Sequence, residues 1–443
     1  MVKKIVILGG GESGYGSAVL AKTKGFDTFL SDAGTIAEKY RLALESEGIE
    51  YEQGGHSEER ILAADLVVKS PGIPDKAPMV KALRDKGVPI VSEIEFARPF
   101  SKGRTLCITG SNGKTTTTTL THRILAEAGY DVAVGGNIGQ SYALSVARDD
   151  KEWYVLELSS FQLDGCVDFV ADIAVLMNIT PDHLDRYNYV FQNYVDSKMR
   201  IVRGHTSANH FVYCADDHTI ASEIAKLNPT SVRHPFGRAN ISGSVATVEL
   251  GSQRVDIDLD RLHIKGLHNA YNAMAATLAA LAAGVAPEQI ERTLYAFEGV
   301  EHRLERVAEI GGVEWINDSK ATNVDSVWYA LESMTRPTVW IAGGTDKGND
   351  YEPLKEFVGT KVKTLVCMGV NNEKLLEEFR GIVPVYNTSS LEECVKVCHQ
   401  VATRGDAVLL SPACASFDLF KNYEQRGTLF KEKVLQLKSD ENR

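Results

Sequence analysis

The chain has 443 residues, 44% hydrophobic and 24% charged, with 37 Gly and 13 Pro. At about 150 residues per domain that is room for roughly three domains, and the composition excludes collagenous, disulfide-scaffold and disordered classes. Lys plus Arg number 48 against 59 Asp plus Glu, a formal charge of −11, which argues against a general binder of nucleic-acid backbone, so any nucleotide site must be local. The seven cysteines are scattered and never form a CxxC pair, which points to a reduced, cytoplasmic chain without a disulfide framework or zinc ribbon. The apolar run Ile5–Leu8 stops at Gly9, too early for a signal peptide, and Ala273–Ala286 is well short of the ~20 residues that span a bilayer. No membrane segment is expected.

Short apolar runs that end in Gly- or Ser-rich turns and precede helix-like stretches (Lys4–Leu8, Leu106–Thr109, Thr338–Ala342, Ala407–Leu410) predict α/β architecture with parallel sheets. Three domains are expected. A Rossmann-like nucleotide-binding domain covers 1–93, with further strands at Asp65–Ser70 and Ile90–Val91, and Pro99–Arg104 follows as a polar linker. A central phosphate-loop ATPase-like domain covers 94–299, with strands at Trp153–Glu157 and Ile173–Asn178 and an Ala-rich helix at His268–Ala283. Within it, alternating segments between about 230 and 265 suggest a small antiparallel insertion. A C-terminal Rossmann-like domain covers 300–443.

Gly9-Gly10-Gly11-Glu12-Ser13-Gly14 follows the first strand, and Asp32 closes the second. This is a dinucleotide fingerprint: glycines permit a tight turn, helix amides receive an anion, and a carboxylate accepts from a ribose hydroxyl or base N–H. Any nucleotide diphosphate qualifies, NAD included, and a Gly-rich turn that binds nothing gives the same pattern. Glu12 sits awkwardly beside a diphosphate.

Gly110-Ser111-Asn112-Gly113-Lys114-Thr115 lies between a strand and a helix. Its amides would cradle phosphates, Lys114 would meet β/γ oxygens, and Thr115 would hold Mg²⁺, which makes ATP the leading ligand. The loop is shorter than the usual motif, with Ile108 where the first glycine belongs. Glu157 and the segment Thr180–Asp185, containing His183, stand at two further strand ends, where an open α/β sheet places ligands. They suit a divalent metal; alone, they read as a capping acid and a loop histidine. Lys198 reads as a solvated helical lysine. Asn317–Asn323, Gly343–Gly348 and Ser411–Ser416 suggest a small-molecule pocket that the last domain shares with its neighbour, or plain turn chemistry. Cys414 reads as a packing residue, and Cys394 and Cys398 as semi-buried on one helix face.

Together, Gly110–Thr115, Leu156–Gln162, Asn178–His183, Gly266–Asn269, Glu301-His302-Arg303, Asn317–Asn323 and Leu410–Ser416 through Gly427 resemble the bacterial Mur ligases along essentially the whole chain. The segments Ser159–Leu163 and the C-terminal stretch resemble the D-glutamate-adding member most specifically. The resemblance implies an ATP-dependent amide ligase that joins D-glutamate to UDP-N-acetylmuramoyl-L-alanine through an acyl phosphate, releasing ADP and phosphate, and acts as a monomer. It implies UDP-substrate contacts at Gly14, Asp32, Ser70, Gly72 and Asn137, and ATP contacts at Gly110 to Thr116 (Ser111, Asn112, Gly113, Lys114, Thr115 and Thr116), Asn269, Arg303 and Asp318. D-Glutamate contacts are implied at Thr322, Lys347, Ser416 and Tyr423, the last often Phe in the family. Two Mg²⁺ ions are implied, on Thr115, Glu157, His183 and a CO₂-carbamylated Lys198, with domain hinges near 94–104 and 297–303. Competing readings are a sibling or folylpolyglutamate-synthetase-like ligase with another amino acid, a non-catalytic nucleotide binder and, more remotely, an NAD-dependent oxidoreductase.

Overall fold

A computed structural model describes residues 3–346 and 348–441, with Asp325, Asp440 and Glu441 described in backbone only. By contact the chain parts into two units, Met1–Leu262 with Tyr271–Ala296, and His263–Ala270 with Phe297–Arg443. The Ala-rich helix Leu267–Ala283 therefore contributes its first turn to the second unit.

The first unit holds two parallel sheets. Strands β1 (Lys4–Leu8), β2 (Asp27–Asp32), β3 (Glu50–Gln53), β4 (Leu66–Lys69) and β5 (Ile90–Val91) are ordered β3-β2-β1-β4-β5. Ile5 to Leu8 are all buried, because a parallel sheet covered on both faces needs an unbroken apolar run. The second sheet contains β6 (Arg104–Thr109), β7 (Val132–Gly136), β8 (Trp153–Glu157), β9 (Ile173–Leu176), β10 (His210–Cys214) and β11 (Val232–Phe236), ordered β11-β10-β9-β6-β8-β7. β6 is thus central, with the ends of β8 and β9 on either side of it.

Between about 230 and 265 the expectation needs one correction. β11 pairs in parallel with β10, and only β12 (Ile241–Ser242), β13 (Val245–Leu250) and β14 (Gln253–Asp258) form the antiparallel insertion. β11 imitates an insertion strand because it lies at a sheet edge, with Pro235 and one exposed face.

The second unit holds β15 (Glu305–Ile310), β16 (Val313–Asn317), β17 (Thr338–Ala342), β18 (Val362–Met368), β19 (Val385–Thr388) and β20 (Ala407–Leu410), ordered β15-β16-β20-β17-β18-β19. All pairs are parallel except β15 with β16. That edge hairpin turns at Gly311-Gly312, both at positive φ, the conformation a two-residue hairpin with right-handed strand twist demands. Cys394 and Cys398 are fully rather than half buried, and all seven cysteines are free and buried. Among the described residues no helix is long and apolar enough to cross a membrane.

Candidate active site

The phosphate loop joins β6 to the helix Lys114–Glu127. Five successive threonines from Thr115 are poor helix formers, yet Thr115 to Thr118 are all buried, so packing rather than propensity makes this helix. Gly113 has φ +83°, and a Cβ there would lie 2.5 Å from Asn272 Oδ1, so the short loop still needs its glycine. Asn178, at the end of β9, holds the loop: its Oδ1 accepts from Asn112 N at 2.8 Å and its carbonyl accepts from Ser111 N at 3.0 Å. Ser111 Oγ donates to Thr180 O at 2.9 Å and lies 3.0 Å from the Tyr194 hydroxyl. Asn178 and Tyr194 escaped the sequence reading as site residues, although the first lies inside a quoted motif.

Lys114 Nζ donates to the carbonyls of Gly110 (2.7 Å) and Ser111 (2.9 Å). Lys198, on the helix Phe191–Met199, donates to the same Gly110 oxygen at 2.8 Å. It is only 1% exposed, which corrects its reading as a solvated lysine. Burial, reinforced by the Lys114 charge, lowers its pKa well below the ordinary lysine value against the pull of Asp182, Glu157 and Asp164. The result favours a neutral amine beside a phosphate loop.

Glu157 ends β8 and is also 1% exposed. Asn137 donates to its carboxylate through Nδ2 and to its carbonyl through N, both at 2.8 Å, so two residues expected in different subsites are joined. A Ser159/Gln162 capping box then starts the helix Ser160–Asp164, setting Phe161 close behind Glu157. His183 occupies a left-handed turn (φ 53°), its side chain 44% exposed, with Nε2 3.5 Å from Asp182 Oδ2 and its ring edge-on to Phe161. Carboxylate and hydroxyl oxygens are donors that suit Mg²⁺, so Glu157 and Thr115 are the residues that could hold it; the His183 imidazole is a donor better matched to softer metals.

In the first sheet, a Cβ on Gly14 would lie 1.8 Å from the Gly9 carbonyl oxygen, so that glycine permits helix and strand to meet. Asp32 accepts from Gly10 N at 2.6 Å and Gly34 N at 2.7 Å; its carboxylate shapes the glycine turn. Ser70 Oγ is 3.4 Å from Ser13 Oγ, and Gly72 is exposed. The Glu12 carboxylate accepts from the Tyr40 hydroxyl (2.8 Å) and from Ser141 N (3.1 Å), tying the first sheet's opening helix to the segment after β7.

In the second unit, Asn269 donates to Lys265 O at 2.9 Å, and both line a cavity of about 780 Å³ together with Arg303. Asp318 is buried; its carboxyl accepts from Ser411 Oγ (2.8 Å) and Leu304 N (3.2 Å). Burial pushes its pKa up to about 7, against the Ser411 hydrogen bond and the Arg303 charge. Ser416 is buried and Thr322 half-buried. Tyr423 opens the helix Tyr423–Glu441, with its carbonyl accepting from Ser319 Oγ at 2.8 Å and Lys320 Nζ 5.3 Å from its ring. Lys347 lies outside the described residues.

Arg426, which the sequence reading passed over, is fully buried and donates to Ser319 Oγ, Ser319 O and Cys414 O, pinning this strand-end cluster. Glu301, His302 and Glu305 bring three ligand-type atoms within 4.8 Å, but Lys431 already pairs with both carboxylates, at 2.8 and 2.5 Å.

A phosphate loop, a buried carboxylate and a buried lysine at one sheet edge are the parts of an enzyme of phosphoryl transfer. The sequence matches the families described as Mur ligase MurD-like, N-terminal domain (residues 3–92), Mur ligase middle domain (108–280) and Mur ligase, glutamate ligase domain (302–414). It is 51% identical to the UDP-N-acetylmuramoylalanine–D-glutamate ligase of Bacteroides fragilis, over 98% of this chain and all of that one. It is 50% identical to the enzyme of that name from Christiangramia forsetii, over 99% of this chain and all of that one. The fold matches the UDP-N-acetylmuramate-alanine ligase MurC of Thermotoga maritima with a TM-score of 0.62 at 19% identity, covering 98% of this chain and 100% of that one. The chain belongs to the Mur ligase family.

Proposed function

We propose that the protein is an ATP-dependent ligase that forms an amide between UDP-N-acetylmuramoyl-L-alanine and D-glutamate in peptidoglycan precursor synthesis. The reading rests on full-length likeness to relatives bearing that activity in their names. The observation that carries its chemistry is the meeting of Lys114 and Lys198 on the Gly110 carbonyl, with Glu157 within electrostatic reach of Lys198.

A carboxylate is a poor acyl donor, so the L-alanyl carboxylate takes the γ-phosphoryl group of ATP, releasing ADP, and the amine of D-glutamate attacks the resulting acyl phosphate and expels phosphate. Mg²⁺, when bound, neutralises charge between the phosphates and the incoming carboxylate. The chain's own part is positioning: loop amides fixed by Asn178 and Ser111 receive phosphate, and Lys114 adds a cation. Asn137 orients the Glu157 carboxylate. Burial beside Lys114 favours the neutral amine of Lys198, the form that would add CO₂ with loss of a proton; the resulting carbamate and His183 are the groups that would hold a second ion. Asn269, Arg303 and Asp318 serve adenine, phosphate and ribose, and Thr322, Lys347, Ser416 and Tyr423 serve D-glutamate. Gly14, Asp32, Ser70, Gly72 and Asn137 serve the UDP substrate. The protein works as a monomer in the cytoplasm, a compartment that suits seven free thiols.

The test is phosphate release from ATP by the purified protein with UDP-N-acetylmuramoyl-L-alanine and, separately, D-glutamate, L-glutamate, L-alanine, L-lysine or meso-diaminopimelate. Release with D-glutamate alone, with the product mass, is the expected result. Release with another amino acid keeps the mechanism and refutes the substrate; release with none refutes the ligase.

A further inference from the structure

The turn that carries His183 is conformationally expensive. His183, Asn188 and Tyr189 hold φ values of 53°, 56° and 57°, a region non-glycine residues occupy only when their surroundings impose it. Part of what imposes it comes from far along the chain. Arg186, on the single turn Leu184–Arg186 directly after His183, sends Nη2 to the Pro71 carbonyl at 3.3 Å. The same guanidinium lies 4.3 Å above the Phe161 ring. Phe161 meets the His183 ring edge-on at 5.2 Å and stacks on Tyr187 at 6.0 Å and 12°. Tyr187 in turn donates to Asp164 Oδ2 at 2.8 Å. Pro71 lies in the turn after β4, whose inner side is held by Lys69 Nζ donating to Ile73 O at 2.8 Å. One half-buried guanidinium therefore bridges the loop after β4, the helix after β8 and the turn after β9.

We propose that Arg186 is a positioning residue that ties the Ser70–Gly72 loop to the His183 turn, so that the uridine-nucleotide site and the turn bearing His183 are set as one piece. Only a planar fork does both jobs, because it stacks on Phe161 with its face while donating to Pro71 from its edge. Arg186 needs no contact with substrate for this role. The proposal rests on the reading of Ser70 and Gly72 as nucleotide contacts.

The experiment is calorimetric titration of UDP into the full chain without ATP or metal, comparing wild type with Arg186→Met and Arg186→Lys, each checked for an unchanged thermal midpoint. Arg186→Met is expected to weaken UDP binding about tenfold, as loss of a charge-assisted hydrogen bond would, and Arg186→Lys at least about threefold. In turnover, the KM for the UDP substrate rises by a similar factor and kcat falls, while the KM values for ATP and D-glutamate stay within about twofold. A merely structural role would not produce that split. If Arg186→Met fails to fold, Arg186→Lys decides. Wild-type UDP affinity in a folded variant overturns the proposal alone; absence of UDP binding by the wild type overturns the nucleotide reading, and the proposal with it.

Discussion

Lys198 Nζ donates to the carbonyl of Gly110 at 2.8 Å from a side chain that is 1% exposed. A fully buried ammonium is costly, and Lys114 stands on the same oxygen, so both burial and repulsion push Lys198 toward the neutral amine. That is the protonation state in which a lysine reacts with CO₂.

Lys198→Ala is expected to lower kcat about 100-fold, the upper end of the effect of removing a group that organises a metal site. Added formate or acetate should restore part of it by supplying the missing carboxylate oxygens. Lys198→Arg, whose guanidinium stays protonated, should be as poor as Ala and refractory to rescue. Phosphate-release assays across a carboxylate series measure this, and full activity in Lys198→Ala would remove the carbamate from the mechanism.

Asp32 shapes the glycine turn by accepting from Gly10 N at 2.6 Å and Gly34 N at 2.7 Å. Asp32→Ala should raise the KM for the UDP substrate about tenfold, the effect of losing charge-assisted hydrogen bonds, and leave the KM for ATP within about twofold. Steady-state kinetics with each substrate varied in turn separates the two. An equal effect on ATP would show that the nucleotides are assigned to the wrong sheets.

Gly14 tests packing rather than chemistry. An added Cβ would lie 1.8 Å from the Gly9 carbonyl oxygen, a backbone atom that cannot swing away as a side chain would. Gly14→Ala should destabilise the first unit by about 3 kcal/mol, at the upper end for overpacking. Urea unfolding followed by circular dichroism gives the value, and a variant as stable as wild type would mean that the helix and strand separate more easily than their contact implies.

Glu93 gives a pH dependence. It is buried; its Oε1 accepts from Ser141 Oγ and from Ala143 N at 3.0 Å. Burial raises its pKa to about 7 against these hydrogen bonds, and the neighbouring Glu12 adds to the rise. The folded state thus holds a proton that the unfolded chain releases near pH 4.3. This group's contribution is therefore fully present below about pH 4 and is lost as pH rises through 7. Glu93→Gln keeps an acceptor for Ser141 and Ala143 but cannot ionise. It should flatten the stability profile between pH 4 and 7 and exceed wild type at pH 8 by about 1–3 kcal/mol. Thermal unfolding at pH 5 and pH 8 checks it, and parallel profiles for the two proteins would refute it.

What could be read without coordinates was what is local along the chain. Gly110 to Thr115 sit within one strand, turn and helix, and their φ requirements and amide directions are properties of neighbouring residues. The apolar runs that became β1, β6, β8, β17 and β20 were equally plain, since strands covered on both faces are apolar through their centres. β11 misled because an edge strand exposes one face, and the β15–β16 hairpin was missed although Gly311-Gly312 marked its turn. The resemblance to a family named site residues, but it could not say what surrounds them.

The amino-acid sequence by itself determined the α/β class, the phosphate loop and the residue types available for chemistry. Only the tertiary structure decided which of them became unusual. Lys198 is 88 residues from the carbonyl it meets, and Arg186 is 115 residues from Pro71. Glu12, awkward beside a phosphate in the linear reading, is taken up by Ser141 across 129 residues. The physical reason is that a pKa, a desolvation cost or a strained turn is set by the atoms packed around a group, and chain folding alone brings such distant atoms together.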